Sequence, residues 1–222
     1  MKTLKEQTQA KVAAGRGAKP EFMQTVDELL AKEAEFKRGS NAINLGQIAP
    51  DFVLPSAVNE PTSLAELLNQ GPVVVTFYRG SWCPYCNLQL KALQARMDDI
   101  HALGAKLVAI SPEVPDGSLA AEEINDMGFY VLSDQDSVVA KQYGVAWEVP
   151  EFFIEHMRVD RGLDLNQINN ISTNESTTIL PIPATFVLSS EGRVEWRYLD
   201  VDYRTRSEPE DIIQALKGLF KA

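Results

Sequence analysis

Two cysteines, Cys83 and Cys86, are the only ones in a chain of 222 residues. They stand as Trp82-Cys83-Pro84-Tyr85-Cys86, directly after the apolar run Val73 to Tyr78 and directly before a stretch with helical periodicity. Pro84 has no N–H to leave unsatisfied and its φ is preset, so it suits the first position of a helix. Cys83 then falls at the N-cap, facing the free N–H groups and the positive end of the helix dipole. Those donors favour a thiolate, the reactive form of the side chain. Side chains at i and i+3 of a helix are neighbours, close enough for a disulfide after slight adjustment. The spacing therefore predicts an exposed attacking sulfur at Cys83 and a more buried resolving sulfur at Cys86. Arg79, four residues upstream, is a candidate for stabilising the thiolate. Trp82 and Ser81 flank the pair and are candidates for substrate contact. Two plainer alternatives are a pair of structural cysteines and half of a zinc site. The second needs ligands the chain scarcely has, since it holds two histidines, His101 and His156, far apart in sequence.

The elements that would position this pair follow from hydrophobic spacing. Val73 to Tyr78 is β-branched and aromatic throughout, as in a strand buried on both faces. Pro84 to Leu103 reads as one long helix, with Leu90, Leu93, Met97 and Ile100 on a stripe and Gly104 as its stop. Strands are expected at Asp51–Leu54, Lys106–Ile110 and Phe129–Leu132. Helices are expected at Ser63–Asn69 (with Ser63 and Glu66 spaced as a capping box), Ser118–Met127 and Ser137–Tyr143. Thr185–Ser189 and Arg193–Leu199 form a hairpin across Ser190-Glu191-Gly192. A final helix spans about 208–221, with Ser207 as its N-cap. This order implies an α/β fold: a mixed central sheet flanked by helices, occupying about 43–222 with an insertion at about 147–183. Ahead of it, 1–42 comprises a basic solvated tail followed by an amphipathic helix over 20–38. That helix is expected to pack on the domain or on a second copy of the chain, as a homodimer.

The whole-chain composition sets limits. A hydrophobic content of 45% suits a globular core, and a formal charge of -10 argues against nucleic acid or an anionic membrane as partner. No run is apolar enough to span a bilayer, and Met1 to Pro20 lacks the apolar core of a secretory signal. A lone Cys-x-x-Cys is not a secreted disulfide framework, so a reducing, cytoplasmic setting is expected. No metal and no cofactor is expected. Asp200, Asp202, Glu208, Glu210 and Asp211, with Arg204 and Arg206 among them, read as a solvated surface.

Gly46-Gln47-Ile48-Ala49-Pro50-Asp51-Phe52-Val53-Leu54 resembles the opening strand of the alkyl hydroperoxide reductase and thiol-specific antioxidant (AhpC/TSA) family. Phe77 to Cys86 is similar to the active-site segment of its peroxiredoxin-like branch. Val131-Leu132-Ser133-Asp134, Tyr143-Gly144-Val145 and Ile182 to Leu188 resemble later landmarks, so the likeness covers about 46–220. It implies a thioredoxin-like fold and a thiol-dependent peroxidase. Cys83 would be oxidised by a hydroperoxide, Cys86 would resolve it, and a thioredoxin-like protein or small thiol would reset the pair. The chain departs from the family at three places. Thr76 and Gly80 stand where Pro and Thr are usual, and Pro183 stands where an Arg is usual. Pro183 instead resembles the cis-proline that faces the cysteines in thioredoxins, and it is expected to be cis. The rival activity is protein thiol–disulfide exchange without peroxide, and the rival outside catalysis is a redox-regulated binding protein.

Overall fold

The structure is a computed structural model describing residues 2–35, 39–114, 127–168 and 178–220. Two helices come first, α1 (Leu4–Ala18) and α2 (Pro20–Glu35), followed by a small hairpin of β1 (Val53–Pro55) and β2 (Pro61–Ser63) and by α3 (Leu64–Leu68). Then come β3 (Val73–Phe77), α4 (Pro84–Gln94), α5 (Met97–Ala102), β4 (Lys106–Ser111), β5 (Tyr130–Ser133) and α6 (Val138–Gln142). The remainder is β6 (Ala146–Glu148), α7 (Glu151–Arg161), α8 (Leu165–Ile168), β7 (Ile179–Pro181), β8 (Ala184–Leu188), β9 (Val194–Leu199) and α9 (Pro209–Gly218). The central sheet runs in the order β5-β4-β3-β8-β9. β3 pairs parallel with β4 and antiparallel with β8, so it sits at the centre and is buried at every position. That is the environment its unbroken β-branched sequence demands. A mixed sheet flanked by helices is the architecture expected from the sequence.

Local sequence explains most boundaries. Ser63 caps α3 by accepting the Glu66 N–H at 3.4 Å. Gly192, at φ 76°, turns the β8–β9 hairpin. The single helix expected over Pro84–Leu103 is instead two, broken at Ala95–Arg96. Arg96 leaves helical geometry and binds Asp99 and, on α9, Glu210. The apolar stripe survives the break, because Leu93, Met97 and Ile100 all remain buried. Glu208, not Ser207, occupies the N-cap of α9, since the Ser207 hydroxyl is committed to Thr185 at 3.0 Å. The helix expected at Ser118–Met127 and the end of the one expected over 20–38 lie mostly outside the described residues. Within the insertion expected at about 147–183, α7 packs Phe153 and Met157 inward, and β6 pairs with β7.

The start of the chain corrects the expectation of a solvated tail. Thr3 and Glu6 form a reciprocal capping box, with Glu6 N–H donating to Thr3 Oγ1 at 3.1 Å and Thr3 N–H to Glu6 Oε2 at 2.8 Å. Glu208 reaches across to accept the Leu4 and Lys5 N–H groups at 3.1 and 2.6 Å. The same end of α1 therefore carries two acidic side chains where its dipole favours them. Leu4 and Thr8 are buried. On α2, Val26 is fully buried and Asp27 binds Arg204 at 2.6 Å, while Arg204 is also held by Asp202 at 2.8 Å. The basic charge of this segment concealed its helix, because few of its large side chains are apolar.

Candidate active site

Cys83 is the N-cap of α4 with extended backbone (φ -87°, ψ 112°), and Pro84 occupies the first turn. Cys86 lies one turn inside the helix. The two thiols are free, and Cys86 is more deeply enclosed. The expectation that Cys83 is exposed fails: it keeps only 2% of its surface. It faces a cavity of about 370 Å³ that α1, α2 and α7 roof, with Lys11, Phe22 and Met157 among its walls. Two of the covering helices precede the strands of the domain and the third follows β6, so nothing in the spacing around Cys83 signals them.

Two arginines converge on the sulfurs. Arg206, in the segment before α9, places Nη2 2.9 Å from Cys86 Sγ and 3.9 Å from Cys83 Sγ. Its other terminal nitrogen, Nη1, is anchored by the Tyr203 and Thr205 carbonyls, each at 2.5 Å. Arg206 is buried, so its expected place on a solvated acidic surface is wrong. Only the fold reveals it, since 120 residues separate it from Cys86. Arg79 donates its backbone N–H to Cys86 Sγ at 3.4 Å. Its guanidinium is 1% exposed, has no hydrogen-bond partner, and lies over four rings: Tyr203 at 4.3 Å, Phe153 at 4.9 Å, Trp147 at 5.2 Å and Trp82 at 5.6 Å. Cation–π attraction offsets part of the cost of burying that charge.

The electrostatics divide the pair. Burial works against a charge on Cys86, yet the hydrogen bond from Cys83, the Arg206 charge and the Arg79 N–H outweigh it, and the Cys86 thiol is brought down to about 5. Burial pushes the Cys83 thiol up, and the hydrogen bond it gives Cys86, together with the charge there, pushes it further. The resting pair thus holds one proton and one negative charge, with the charge toward Cys86. Against the helix end, which favours a thiolate on Cys83, stands Arg206, 2.9 Å from Cys86 and 3.9 Å from Cys83, which favours one on Cys86. Burial lowers Arg79's hold on its proton, opposed by Cys83, Tyr203 and Cys86, while Arg206 is raised because the two sulfurs outweigh its burial.

The other sequence candidates separate. Trp82 lines the cavity with its indole N–H unpartnered. Ser81 is turned away to Glu113, which accepts its N–H and its hydroxyl, each at 2.7 Å. Gly80 adopts φ 142°, and a Cβ there would collide with the Trp82 indole nitrogen, so the residue usual at this place in the family does not fit this ring. Thr76 lies within the sheet, bonded to Thr185 at 3.0 Å and to Gln89 at 3.2 Å. The Ile182–Pro183 bond is trans, as the described chain contains no cis peptide, and this corrects the expected cis-proline. Ile182 N–H donates to the Val145 carbonyl at 2.7 Å, which continues the β6–β7 ladder toward β8 in extended form. A trans bond, the usual state for X–Pro, carries that path without a turn. Pro183 borders Arg79 and Tyr203 on a small cavity whose lining does not include Cys83. Among the described residues no cluster of His, Cys, Asp or Glu could hold a metal, and no helix is long and apolar enough to cross a membrane.

Comparison with known proteins agrees with this architecture. The model of the AhpC/TSA family matches residues 45–197. Peroxiredoxin Bcp of Escherichia coli K12 is 27% identical over 177 residues, covering 80% of this chain and 97% of that protein. A chloroplastic peroxiredoxin Q of Populus jackii is 31% identical over 103 residues, 46% of this chain and 48% of its own. Among solved structures, peroxidoxin BcpB of Mycobacterium tuberculosis superposes with a TM-score of 0.56 at 20% identity, over 80% of this chain and 98% of that one. Peroxiredoxin Q of Xanthomonas campestris does so with a TM-score of 0.56 at 18% identity, over 80% and 100%. With a family match across most of its length and a thioredoxin-like fold around a paired-cysteine site, the chain belongs to the AhpC/TSA family and is an oxidoreductase of peroxiredoxin type.

Proposed function

We propose that the chain is a thiol-dependent peroxidase that reduces hydroperoxides at Cys83, uses Cys86 to close the disulfide, and is reset by an external thiol. The observation that carries this is Cys83 lining a cavity together with the buried Arg79, while behind it the buried Arg206 holds Cys86 at 2.9 Å and lies 3.9 Å from Cys83. The reduced pair reacts once its single proton shifts from Cys83 to Cys86, leaving the thiolate on the accessible sulfur. Cys83 then attacks the terminal peroxide oxygen. A sulfur–oxygen bond forms, the oxygen–oxygen bond breaks, and the alkoxide leaves with the proton from Cys86 as alcohol. Cys86, again a thiolate beside Arg206, attacks the Cys83 sulfenic acid, and the displaced hydroxide takes a proton from solvent as water. Arg79 and Arg206 provide positive charge where the leaving oxygen develops its own. They stand in for the side-chain donors that Gly80 and Pro183 do not provide.

Protein disulfide exchange is disfavoured by the same geometry, since Cys83 lies beneath α1 and α2, away from the surface where another protein's sulfur would meet it. The redox-regulated binding protein loses its support as well, because α1 and α2 are docked on their own domain. A reducing, cytoplasmic compartment, where a lone thiol pair stays reduced, is part of this reading. The deciding experiment measures turnover with hydrogen peroxide, an organic hydroperoxide and a mixed-disulfide substrate in parallel, each with excess dithiothreitol. Turnover with a hydroperoxide that disappears in Cys83→Ser supports the assignment. Turnover confined to the disulfide substrate overturns it in favour of the exchange enzyme.

A further inference from the structure

The cavity over Cys83 has a charge pattern opposite to that of the whole molecule. The chain carries a formal charge of -10. Yet among the described residues the cavity is lined by Lys11, Lys19, Arg79 and Arg161 and by no carboxylate side chain. Lys19 is already paired with Asp160 at 3.1 Å. Lys11 and Arg161 are exposed at the rim and enter no ion pair among the described residues. Between rim and sulfur the wall is largely apolar, with Ala18, Phe22, Met23 and Met157. At about 370 Å³ the space is in the range of small-molecule sites. Its roof is fastened by buried Leu4, Val26 and Leu30, by Glu208 on the first turn of α1, and by Asp27 on Arg204.

We propose that the thiol which resets the enzyme is a low-molecular-weight thiol bearing a carboxylate on a mainly apolar body, bound in this cavity with its carboxylate between Lys11 and Arg161, and not a redox protein. This rests on Cys83 being the cavity-facing sulfur of the oxidised pair. The incoming thiolate attacks Cys83, forming a mixed disulfide and breaking the Cys83–Cys86 bond. Cys86 departs as a thiolate onto Arg206, a well-stabilised leaving group in thiol–disulfide exchange. A second thiol, or the second sulfur of a dithiol, then attacks the outer sulfur of the mixed disulfide. It leaves with the oxidised reductant, and Cys83 takes up a proton to regenerate the reduced pair. Two electrons pass from the small thiol to the protein.

The test begins from full-length protein oxidised with diamide, so that no peroxide enters it and it is independent of the peroxidase assignment. Rates of disulfide reduction are measured with dihydrolipoate, with dihydrolipoamide, and with reduced thioredoxin at equal concentration. The first two differ only in a carboxylate against an amide. Dihydrolipoate should react about 3- to 10-fold faster at low ionic strength, as two solvent-exposed cations allow. The advantage should shrink with added salt. In the double variant Lys11→Gln, Arg161→Gln the ratio of the two rates should fall to about one; because both reagents meet the same protein, the ratio is insensitive to a general loss of stability. A wild-type ratio near one, a ratio unaffected by the double variant, or faster reduction by thioredoxin than by dihydrolipoate overturns the proposal.

Discussion

The position of one guanidinium, that of Arg206, decides which sulfur holds the charge. In Arg206→Ala the thiolate absorbance near 240 nm, expected in the wild type with an apparent midpoint near pH 5, should move upward by roughly 1 to 3 on the pH scale. Reaction of Cys83 with peroxide should slow by about 100- to 1,000-fold, the usual effect of removing a donor from a developing oxyanion. The same shift affects stability. Cys86 has a folded pKa depressed from the ordinary thiol value to about 5, so its contribution is fully present above the ordinary value. It is lost as the pH falls toward 5. The melting temperature of the reduced protein should therefore decline over that interval more steeply than that of Cys86→Ser; parallel curves would show that Cys86 is not the ionised partner. Arg79 differs because its guanidinium forms no hydrogen bonds. Arg79→Met, which keeps the bulk and removes the buried charge, should leave thermal stability equal or higher while slowing the peroxide reaction. Both cysteines remain open to simple chemistry: mild oxidation should remove two hydrogens from the monomer mass in the wild type, and Cys86→Ser should react once with peroxide without closing a disulfide.

At the scale of elements, α4 presents Cys83 while the N-terminal pair α1 and α2 encloses it. Two acidic caps hold the first turn of α1, Glu6 from within and Glu208 from the C-terminal segment. Removing a helix cap costs about 1 kcal/mol. Glu208→Ala should therefore raise amide exchange in α1 selectively and speed alkylation of Cys83 by a bulky maleimide, with little change at the central strands. Equal alkylation rates in variant and wild type would falsify the roofing role of α1. Gly80 belongs to this scale too: Gly80→Ala should push the Trp82 ring from its place beside Arg79, seen as a change in tryptophan emission together with lower activity.

Across the whole molecule, residues far apart in the chain are joined through one short segment. Arg204 ties the segment after β9 to Asp27 on α2, and two residues later Arg206 meets Cys86. The enclosure of the cavity and the charge on the thiolate therefore have a common anchor. Asp27→Asn should weaken both, raising maleimide access to Cys83 and moving the 240 nm midpoint upward, by less than Arg206→Ala does. An access change with no movement of the midpoint would show the two to be separate.

Chain-local chemistry was legible from residue order alone. The strand before Cys83, the proline that starts α4, the hairpin at Gly192 and the cysteine pair at a helix end all depend on neighbours a few residues apart. The order of elements along the chain likewise implied the mixed sheet. Long-range chemistry was not legible. Arg206 sits among acidic residues in sequence and reads as surface, but packing of the segment after β9 buries it against Cys86. Leu4–Ala18 carries too few large apolar residues to announce a helix, and its placement depends on Glu208 at the other end of the chain. The state of Pro183 was set by a backbone ladder to Val145, and the burial of Cys83 by helices outside its motif. Spacing specifies the geometry of a few consecutive residues, whereas charge on a buried thiol depends on which distant groups the fold brings within a few ångströms in a poorly solvated interior.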